Sequence, residues 1–176
     1  MGSKFKTKFD GKVGDLQRLC LECGLCCNGV LFADVRLQAE DDAERLRELG
    51  LEILKRGRFK QPCAALAGCE CRVYADRPGY CRKFECLLFG SVKRGDLGKE
   101  DAQGIVMKAH GTVARVEELL GKLGSNEKHL PLRKRFQAKV KAMERGDVGR
   151  EQAELFAELT VAFHELDMLL REEFYR

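Results

Sequence analysis

The sequence predicts a mostly α-helical protein in which a small, irregular, cysteine-rich domain precedes a C-terminal helical bundle. Two observations support this fold class. All nine cysteines fall between residues 20 and 86, and none follows. Beyond that segment, apolar residues recur at the three- and four-residue spacing of amphipathic helices. We therefore predict a metal-organised domain over residues 1–96 and a helical bundle region over residues 97–176.

Length, composition and charge narrow the class of protein. With 176 residues, 44% of them hydrophobic, the chain can form one ordinary domain or a small domain with an appendage. Its net charge of +4 is too small to predict a phosphate-binding surface. The basic, polar residues 1–12 lack the apolar run of a signal peptide, and no window reaches the roughly 18 apolar residues of a membrane span. We expect a soluble, cytoplasmic protein without a membrane partner.

The number of cysteines requires a chemical reason, because a reducing compartment keeps thiols from pairing. A disulfide scaffold would need an oxidising compartment, an even number of cysteines and a shorter chain. One or two cysteines could be small buried hydrophobic residues, but burial does not explain why all nine cluster. Metal binding does explain the clustering.

One amphipathic helix is predicted between the two groups of cysteines. Its apolar residues recur at helical spacing: Ala39, Ala43, Leu46, Leu49 and Ile53. After Ile53, glycine and proline signals predict short turns, with one helical turn at residues 80–86. The helix should bring the two groups of cysteines together, and the loops suit a metal site.

Three helices are predicted in the C-terminal region. Apolar stripes at helical spacing cover Ile105–Leu123 and Leu132–Met143, and a third runs from about Gly149 to Phe174. The linkers at residues 121–131 and 144–149 contain residues that stop and start helices. This pattern predicts a bundle of helices joined as hairpins.

The first group of cysteines is the run Cys20, Cys23, Cys26 and Cys27. Its CxxCxxC spacing lets successive thiolates surround one centre, and ferredoxin-like iron–sulfur sites combine such a run with a fourth cysteine farther along the chain. A structural zinc site usually takes one CxxC pair and a second pair from elsewhere, which leaves the third cysteine without a role. The spacing therefore favours an iron–sulfur cluster, of the 4Fe-4S type, over zinc, although thiolates suit both metals.

The second group comprises Cys63, Cys69, Cys71, Cys81 and Cys86. With the first group it supplies more thiols than one tetrahedral centre can use, so either two centres or spare thiols follow. Cys69 and Cys71 would face the same way on an extended strand. A buried structural thiol is the alternative for each cysteine, most of all for Cys69 and Cys86. All nine cysteines are candidate metal ligands.

These residues resemble the YkgJ-like cysteine-cluster family, a zinc- or iron-chelating domain named for its CxxCxxCC signature. The resemblance rests on "CLECGLCC", then "PC", then "CRVYADRPGYCRKF", in that order within residues 20–86. Carried over by position, the family's cysteines are Cys20, Cys23, Cys26, Cys27, Cys63, Cys71 and Cys81. Arg77 and Pro78 occupy the family's turn.

The chain departs from the family after Cys81. Cys69 and Cys86 are additions, and Phe84-Glu85-Cys86 stands where Phe-Pro is common in the family. On this basis, Cys86→Ser should cost less metal than Cys23→Ser, Cys63→Ser or Cys81→Ser. Arg77 could bind cofactor by hydrogen-bonding to cluster sulfurs, or it could cap a turn.

The resemblance implies a metal-chelating module, with a metal ion or cluster as the first partner and a protein partner left open. A second hypothesis is an iron–sulfur-dependent enzyme of protein or peptide modification, because the flagellin lysine methylase carries the same cysteine pattern. No methyl-donor, dinucleotide or GxxxxGK phosphate loop accompanies the pattern here. His110, His129 and His164 are scattered and are expected to be surface or core residues rather than ligands.

A third hypothesis is a zinc-stabilised nucleic-acid-binding module that uses the basic amphipathic segment at residues 131–145. A solvated bundle helix explains that segment better, so a nucleic-acid partner is not favoured.

Overall fold

A computed structural model describes residues 14–146 and 149–175 of the chain. Within these residues lie seven α-helices and five short strands. The helices are α1 (Asp15–Cys23), α2 (Ala43–Glu48), α3 (Gly79–Lys83), α4 (Leu87–Arg94), α5 (Lys99–Lys122), α6 (Leu132–Arg145) and α7 (Arg150–Glu173). The strands are β1 (Asp34–Arg36), β2 (Ile53–Leu54), β3 (Arg58–Lys60), β4 (Leu66–Ala67) and β5 (Glu70–Cys71). The basic residues 1–12 and two residues of the 144–149 linker lie outside the described part.

The mostly α-helical class is confirmed, and so are the three C-terminal helices. Helix α5 packs along α7 and also contacts α6. The predicted apolar stripes supply the buried residues at these contacts, among them Val116, Leu120, Leu159 and Leu166. None of the described helices combines the length and the apolar composition needed to cross a bilayer.

The helix predicted between the cysteine groups is wrong in extent. Only Ala43–Glu48 is helical, so Ala39 and Leu49 lie outside α2 and Ile53 lies in β2. The carboxylate of Asp42 accepts hydrogen bonds from the backbone N–H groups of Glu44 and Arg45 at 3.0 and 2.9 Å. This N-cap fixes the start of α2 at Ala43, about one turn later than the apolar spacing predicted. Helix α2 ends at Glu48, with Leu49 as its C-cap, and strand β2 follows at Ile53.

A three-stranded antiparallel sheet, with strand order β1-β3-β2, was not expected from the sequence. Phe59 on the central strand pairs with Val35 on one side and Ile53 on the other, and it is buried. The strands are two or three residues long, which is too short for an alternating apolar pattern to be recognised. Around Phe59 lies the smaller of two apolar cores: Val35, Leu46, Leu51, Phe59, Ala65 and Val73.

The larger core joins the N-terminal cysteine run to the C-terminal helices. Leu19 lies on α1, Leu25 follows that helix, and Leu88 lies on α4. All three pack with the buried residues of α5 and α7. Cys23, Cys26 and Cys86 rest against this larger core, whereas Cys63, Cys71 and Cys81 rest against the smaller core. The cysteines therefore lie between the two cores. The domain boundary at residue 96 stays a prediction.

Gly29 lies where the first cysteine run, the Cys63 loop and the start of α6 meet. Its φ is +83°, and a Cβ there would lie 3.1 Å from the Pro62 ring and 3.2 Å from Pro131 Cα. Gly29→Ala should therefore lower the free energy of unfolding by about 2–4 kcal/mol, from left-handed backbone strain and overpacking together. Gly57→Ala is the matched control, because Gly57 has φ +63° and open space around it. Its loss should be about 1–2 kcal/mol. Equal losses for both variants in chemical denaturation would contradict the close packing at Gly29.

Candidate metal centre

The first four cysteines lie on a helix end and the turns that follow it. Cys20 and Cys23 occupy the last turns of α1, and Gly24 ends that helix with φ +61°. The N–H of Cys27 then donates to the carbonyl of Gly24 at 2.9 Å. A glycine suits this position because the left-handed backbone conformation penalises other residues. The run is thus a helix followed by a tight turn, rather than a loop throughout.

The five later cysteines come from five separate places along the chain. Cys63 follows β3, and its N–H donates to the carbonyl of Cys27 at 2.8 Å. Cys71 lies in β5, Cys81 in α3, and Cys86 caps the N-terminus of α4. Cys69, in the turn between β4 and β5, is exposed, whereas the other cysteines are half-buried. The described residues hold all nine cysteines as thiols.

A cavity of about 80 Å³ collects seven of the nine cysteines. Those lining it are Cys20, Cys26, Cys27, Cys63, Cys69, Cys71 and Cys81. One water needs roughly 10–15 Å³, so the cavity has room for more than a single small ligand. A second cavity of about 30 Å³ is lined by Cys20, Cys23, Cys26 and Cys86. Every cysteine lines at least one cavity, and the three histidines line neither.

The cysteines lie close together around the two cavities, but their side chains are not arranged as a set of metal ligands. In the described part of the chain, no three His, Cys, Asp or Glu side chains are already placed as the ligands of a metal ion. The Sγ atoms of Cys26 and Cys27 are 3.6 Å apart. Two thiolates on one tetrahedral ion with 2.3 Å bonds would be about 3.8 Å apart. The observed spacing fits two sulfurs on one ion, and it equally fits two sulfurs in contact that belong to neighbouring centres.

Gln61 is a cavity residue that the sequence analysis missed. It is 1% exposed, it lines the larger cavity, and its Oε1 is buried without a hydrogen-bond partner in the structure. A buried amide without a partner is costly, and it implies a bound group or water that would satisfy it. The residue types fit a metal centre in this cavity, and the amide fits it when it is rotated so that its N–H group, rather than Oε1, faces the sulfurs. Nothing in the sequence around "QPC" distinguishes Gln61 from an ordinary surface glutamine.

Arg77 lies at the same cavity and both caps a turn and faces the thiols. Its Nε donates to the carbonyl of Tyr74 at 2.9 Å, and its guanidinium lies 3.5 Å above the centre of the Tyr74 ring. Burial, or for Cys27 the hydrogen bond with Cys26 and then burial, raises the pKa of Cys20, Cys27, Cys71 and Cys81, and the positive charge of Arg77 offsets a small part of that rise. Arg77 is thus fixed by the turn, with its charge beside the cysteines.

Burial makes these thiols weak acids in the absence of metal. Desolvation, followed by the neighbouring thiols, raises the pKa of Cys63 to about 11 and that of Cys81 to about 12. Desolvation likewise raises the pKa of Cys20 to about 11, with Cys86 as the next cause. The hydrogen bond with Cys26 is the main cause that raises the pKa of Cys27. A bound cation reverses this situation, because a coordinating thiol is deprotonated outright.

Metal-free, reduced protein should lose stability as the pH rises. A thiol whose folded pKa of about 11–12 exceeds its ordinary value of 9.0 stabilises the folded state below pH 9. That contribution is lost between about pH 9 and 12, because only the unfolded chain can release the proton. Denaturant unfolding at pH 8, 9, 10 and 11 measures the loss. The control is metal-free Cys63→Ala, Cys81→Ala protein, whose stability should fall less over this range; an equal fall would contradict the role of the buried thiols.

One family model matches residues 19–106, which is half of the chain, under the description "Putative zinc- or iron-chelating domain" with the name CxxCxxCC. No curated protein and no solved structure matches the chain. The match includes all nine cysteines and confirms the resemblance drawn from the sequence. It supports binding of zinc or iron. Taken with the thiol-lined cavities, it shows that the chain belongs to the CxxCxxCC family of zinc- or iron-chelating domains.

Proposed function

We propose that this protein is a metal-chelating module whose clustered thiolates hold an iron–sulfur cluster, of the 4Fe-4S type, in preference to zinc. The observation that supports it most is the larger cavity, where seven thiols meet beside a buried, unsatisfied amide and a fixed guanidinium. Sulfur is the predominant donor at this cavity, and thiolates bind both zinc and iron–sulfur clusters.

Four thiols are the proposed ligands at the larger cavity: Cys27, Cys63, Cys71 and Cys81, here called the loop-side thiols. They are close enough to affect one another, since Cys27, Cys63 and Cys71 all raise the pKa of Cys81. Backbone N–H groups already point at the sulfurs, with Ala65 donating to Cys63 and Val73 to Cys71. Such N–H···S contacts stabilise thiolate charge and tune cluster potentials. When bound, an iron–sulfur cluster would supply one-electron chemistry.

The surroundings of the cavity favour a cluster over a single ion. Its volume exceeds what one ion between four thiolates requires, and its other walls include apolar residues such as Val35, Leu51 and Phe59. The amide of Gln61 can turn its N–H group toward a sulfur, since an amide offers both donors and acceptors. Arg77 adds a positive charge that offsets part of the charge of four thiolates.

Protein purified without oxygen from iron-replete cells tests the proposal. We expect a brown protein with broad absorption near about 400 nm, and iron and acid-labile sulfide in equal amounts. The control is the quadruple variant in which the loop-side thiols are serines. Colourless protein with stoichiometric zinc and no sulfide would reject the cluster and keep the chelating module.

A second candidate function, catalysis at the metal, is favoured by one observation. An open groove of about 390 Å³ adjoins the larger cavity, and Phe32, Tyr80 and Phe84 line both. Four protein thiolates nevertheless close a centre, and a catalytic centre needs an open position. We therefore expect that excess cyanide or imidazole leaves the metal spectrum unchanged and that adenosylmethionine does not raise the melting temperature. A spectral shift, or a rise of several degrees, would place catalysis first.

A further inference from the structure

We propose that Cys20, Cys23, Cys26 and Cys86, here called the helix-side thiols, form a second thiolate site that binds its own iron–sulfur cluster or zinc ion. This inference rests on the proposed function, since it assumes that thiolates of this chain chelate metal. It goes further by assigning two centres and by making Cys86, which lies outside the family's cysteine pattern, a ligand.

The four helix-side thiols share one enclosed space. They line the 30 Å³ cavity, and every other residue of its wall is apolar, including the buried Leu19, Leu88 and Phe174. They also affect one another, because Cys20 and Cys86 both raise the pKa of Cys23. Four thiols that share one apolar cavity match the number and type of donors that a tetrahedral metal ion takes.

The backbone around this cavity suits thiolates. The N–H of Phe89 donates to Cys86 Sγ at 3.4 Å, at the start of the eight-residue helix α4. The N–H of Leu25 donates to the sulfur of Cys23. The N–H of Leu87 donates to the carbonyl of Phe174 at 3.3 Å, which holds Cys86 against the end of α7. These contacts place negative sulfur near backbone donors and a helix N-terminus, where it is stabilised.

The helix-side and loop-side thiols belong to different halves of the structure. Cys23, Cys26 and Cys86 pack on the larger core, whereas Cys63, Cys71 and Cys81 pack on the smaller core. The two groups meet at the adjacent residues Cys26 and Cys27, whose sulfurs are 3.6 Å apart. The smaller cavity groups the four helix-side thiols, of which Cys20 and Cys26 also line the larger cavity, whereas the loop-side thiols and the exposed Cys69 line the larger cavity alone.

Under the two-centre proposal, the CxxCxxCC run supplies ligands to both centres. Cys20, Cys23 and Cys26 supply three ligands from one run, and Cys86 supplies the fourth from 60 residues later, as in ferredoxin-type ligation. Cys27, the next residue, supplies the first ligand of the other centre. The two centres would then be neighbours, linked through adjacent residues of the backbone.

Serine variants of the full chain, purified without oxygen, test the two-centre assignment. Iron, zinc and sulfide per chain are measured together with electron paramagnetic resonance of the reduced protein. Cys86→Ser and Cys81→Ser should each lose the metal of one centre and keep that of the other, so the metal and the signals that survive should differ between the two variants. Cys26→Ser should behave as Cys86→Ser does, and the control Cys69→Ser should keep all the metal.

Three outcomes would overturn the assignment. Cys86→Ser protein that keeps all its metal would show that Cys86 is not a ligand. Complete loss in both Cys86→Ser and Cys81→Ser would show a single shared centre, and loss in Cys26→Ser that matches Cys81→Ser would move Cys26 to the loop-side centre. Wild-type protein without any metal would instead reject the proposed function itself.

A second measurement keeps the test valid if a variant does not fold. Native mass spectrometry of wild-type protein during reconstitution with metal should show two separate loading steps. One step only would contradict two centres.

Discussion

Cys81→Ser protein should lose the metal of the loop-side centre and accumulate at a much lower level than wild type. A neutral serine hydroxyl is a poor ligand for a metal that selects soft thiolates, so the centre would keep three of its four ligands. Binding energies of about 10–16 kcal/mol at structural zinc sites are also folding energy, and they are comparable with the whole stability of a domain. Metal analysis and denaturant unfolding measure both effects.

The control for this variant is Cys69→Ser. Cys69 is the exposed cysteine, and a serine there keeps the turn between β4 and β5. We expect unchanged metal content and a change in unfolding free energy within about 0.5 kcal/mol. If Cys69→Ser lost as much metal as Cys81→Ser, the loop-side ligand set would be wrong.

The structure also changes one expectation about how much metal each cysteine variant loses. From the sequence, Cys86→Ser should cost less metal than Cys23→Ser, because Cys86 lies outside the family's pattern. Cys86 and Cys23 line the same cavity, and after burial, Cys86 contributes to the raised pKa of both Cys20 and Cys23. Under the two-centre proposal we therefore expect equal losses from these two variants.

Removal of the metal should loosen residues 32–81 and leave α5, α6 and α7 folded. The smaller core has only six buried residues, and its strands are two or three residues long, so it buries little apolar surface of its own. The larger core joins two 24-residue helices with α1 and α4. We expect amide-exchange protection to fall at least about tenfold in residues 32–81 and to change little in α5 and α7.

Hydrogen exchange with mass spectrometry, on reduced metal-free protein, measures this difference. Protein reconstituted with metal is the control and should regain the protection. Unchanged exchange in residues 32–81 after the metal is removed would show that the smaller core stands without its thiolate ligands.

The C-terminal helices could be predicted from the sequence because their apolar stripes are long and regular. The N-terminal elements could not, because tertiary contacts decide them. The short strands around Phe59 have no pattern of their own, and the N-cap of α4 is Cys86, a residue considered as a ligand or a buried thiol but not as a helix cap. The start of α2 did have a signal, since an aspartate before "AERLRE" is a typical N-cap.

The candidate site was predicted in composition but not in arrangement. The clustering of the cysteines predicted that they would meet, and seven of them line one cavity together with Arg77; their role as metal ligands stays a prediction. Which cavity each thiol lines depends on contacts between segments that are distant in the sequence. Gln61 could not be predicted as a cavity residue for the same reason, because the sequence does not reveal that its amide is buried.

The central claim is that cysteine sulfur alone holds the metal, and X-ray absorption at the metal edge tests it most directly. The account predicts a first coordination shell of sulfur only, at about 2.3 Å, with iron neighbours beyond it if a cluster is present. Nitrogen or oxygen ligands in the first shell of the intact, anaerobically purified protein would contradict it.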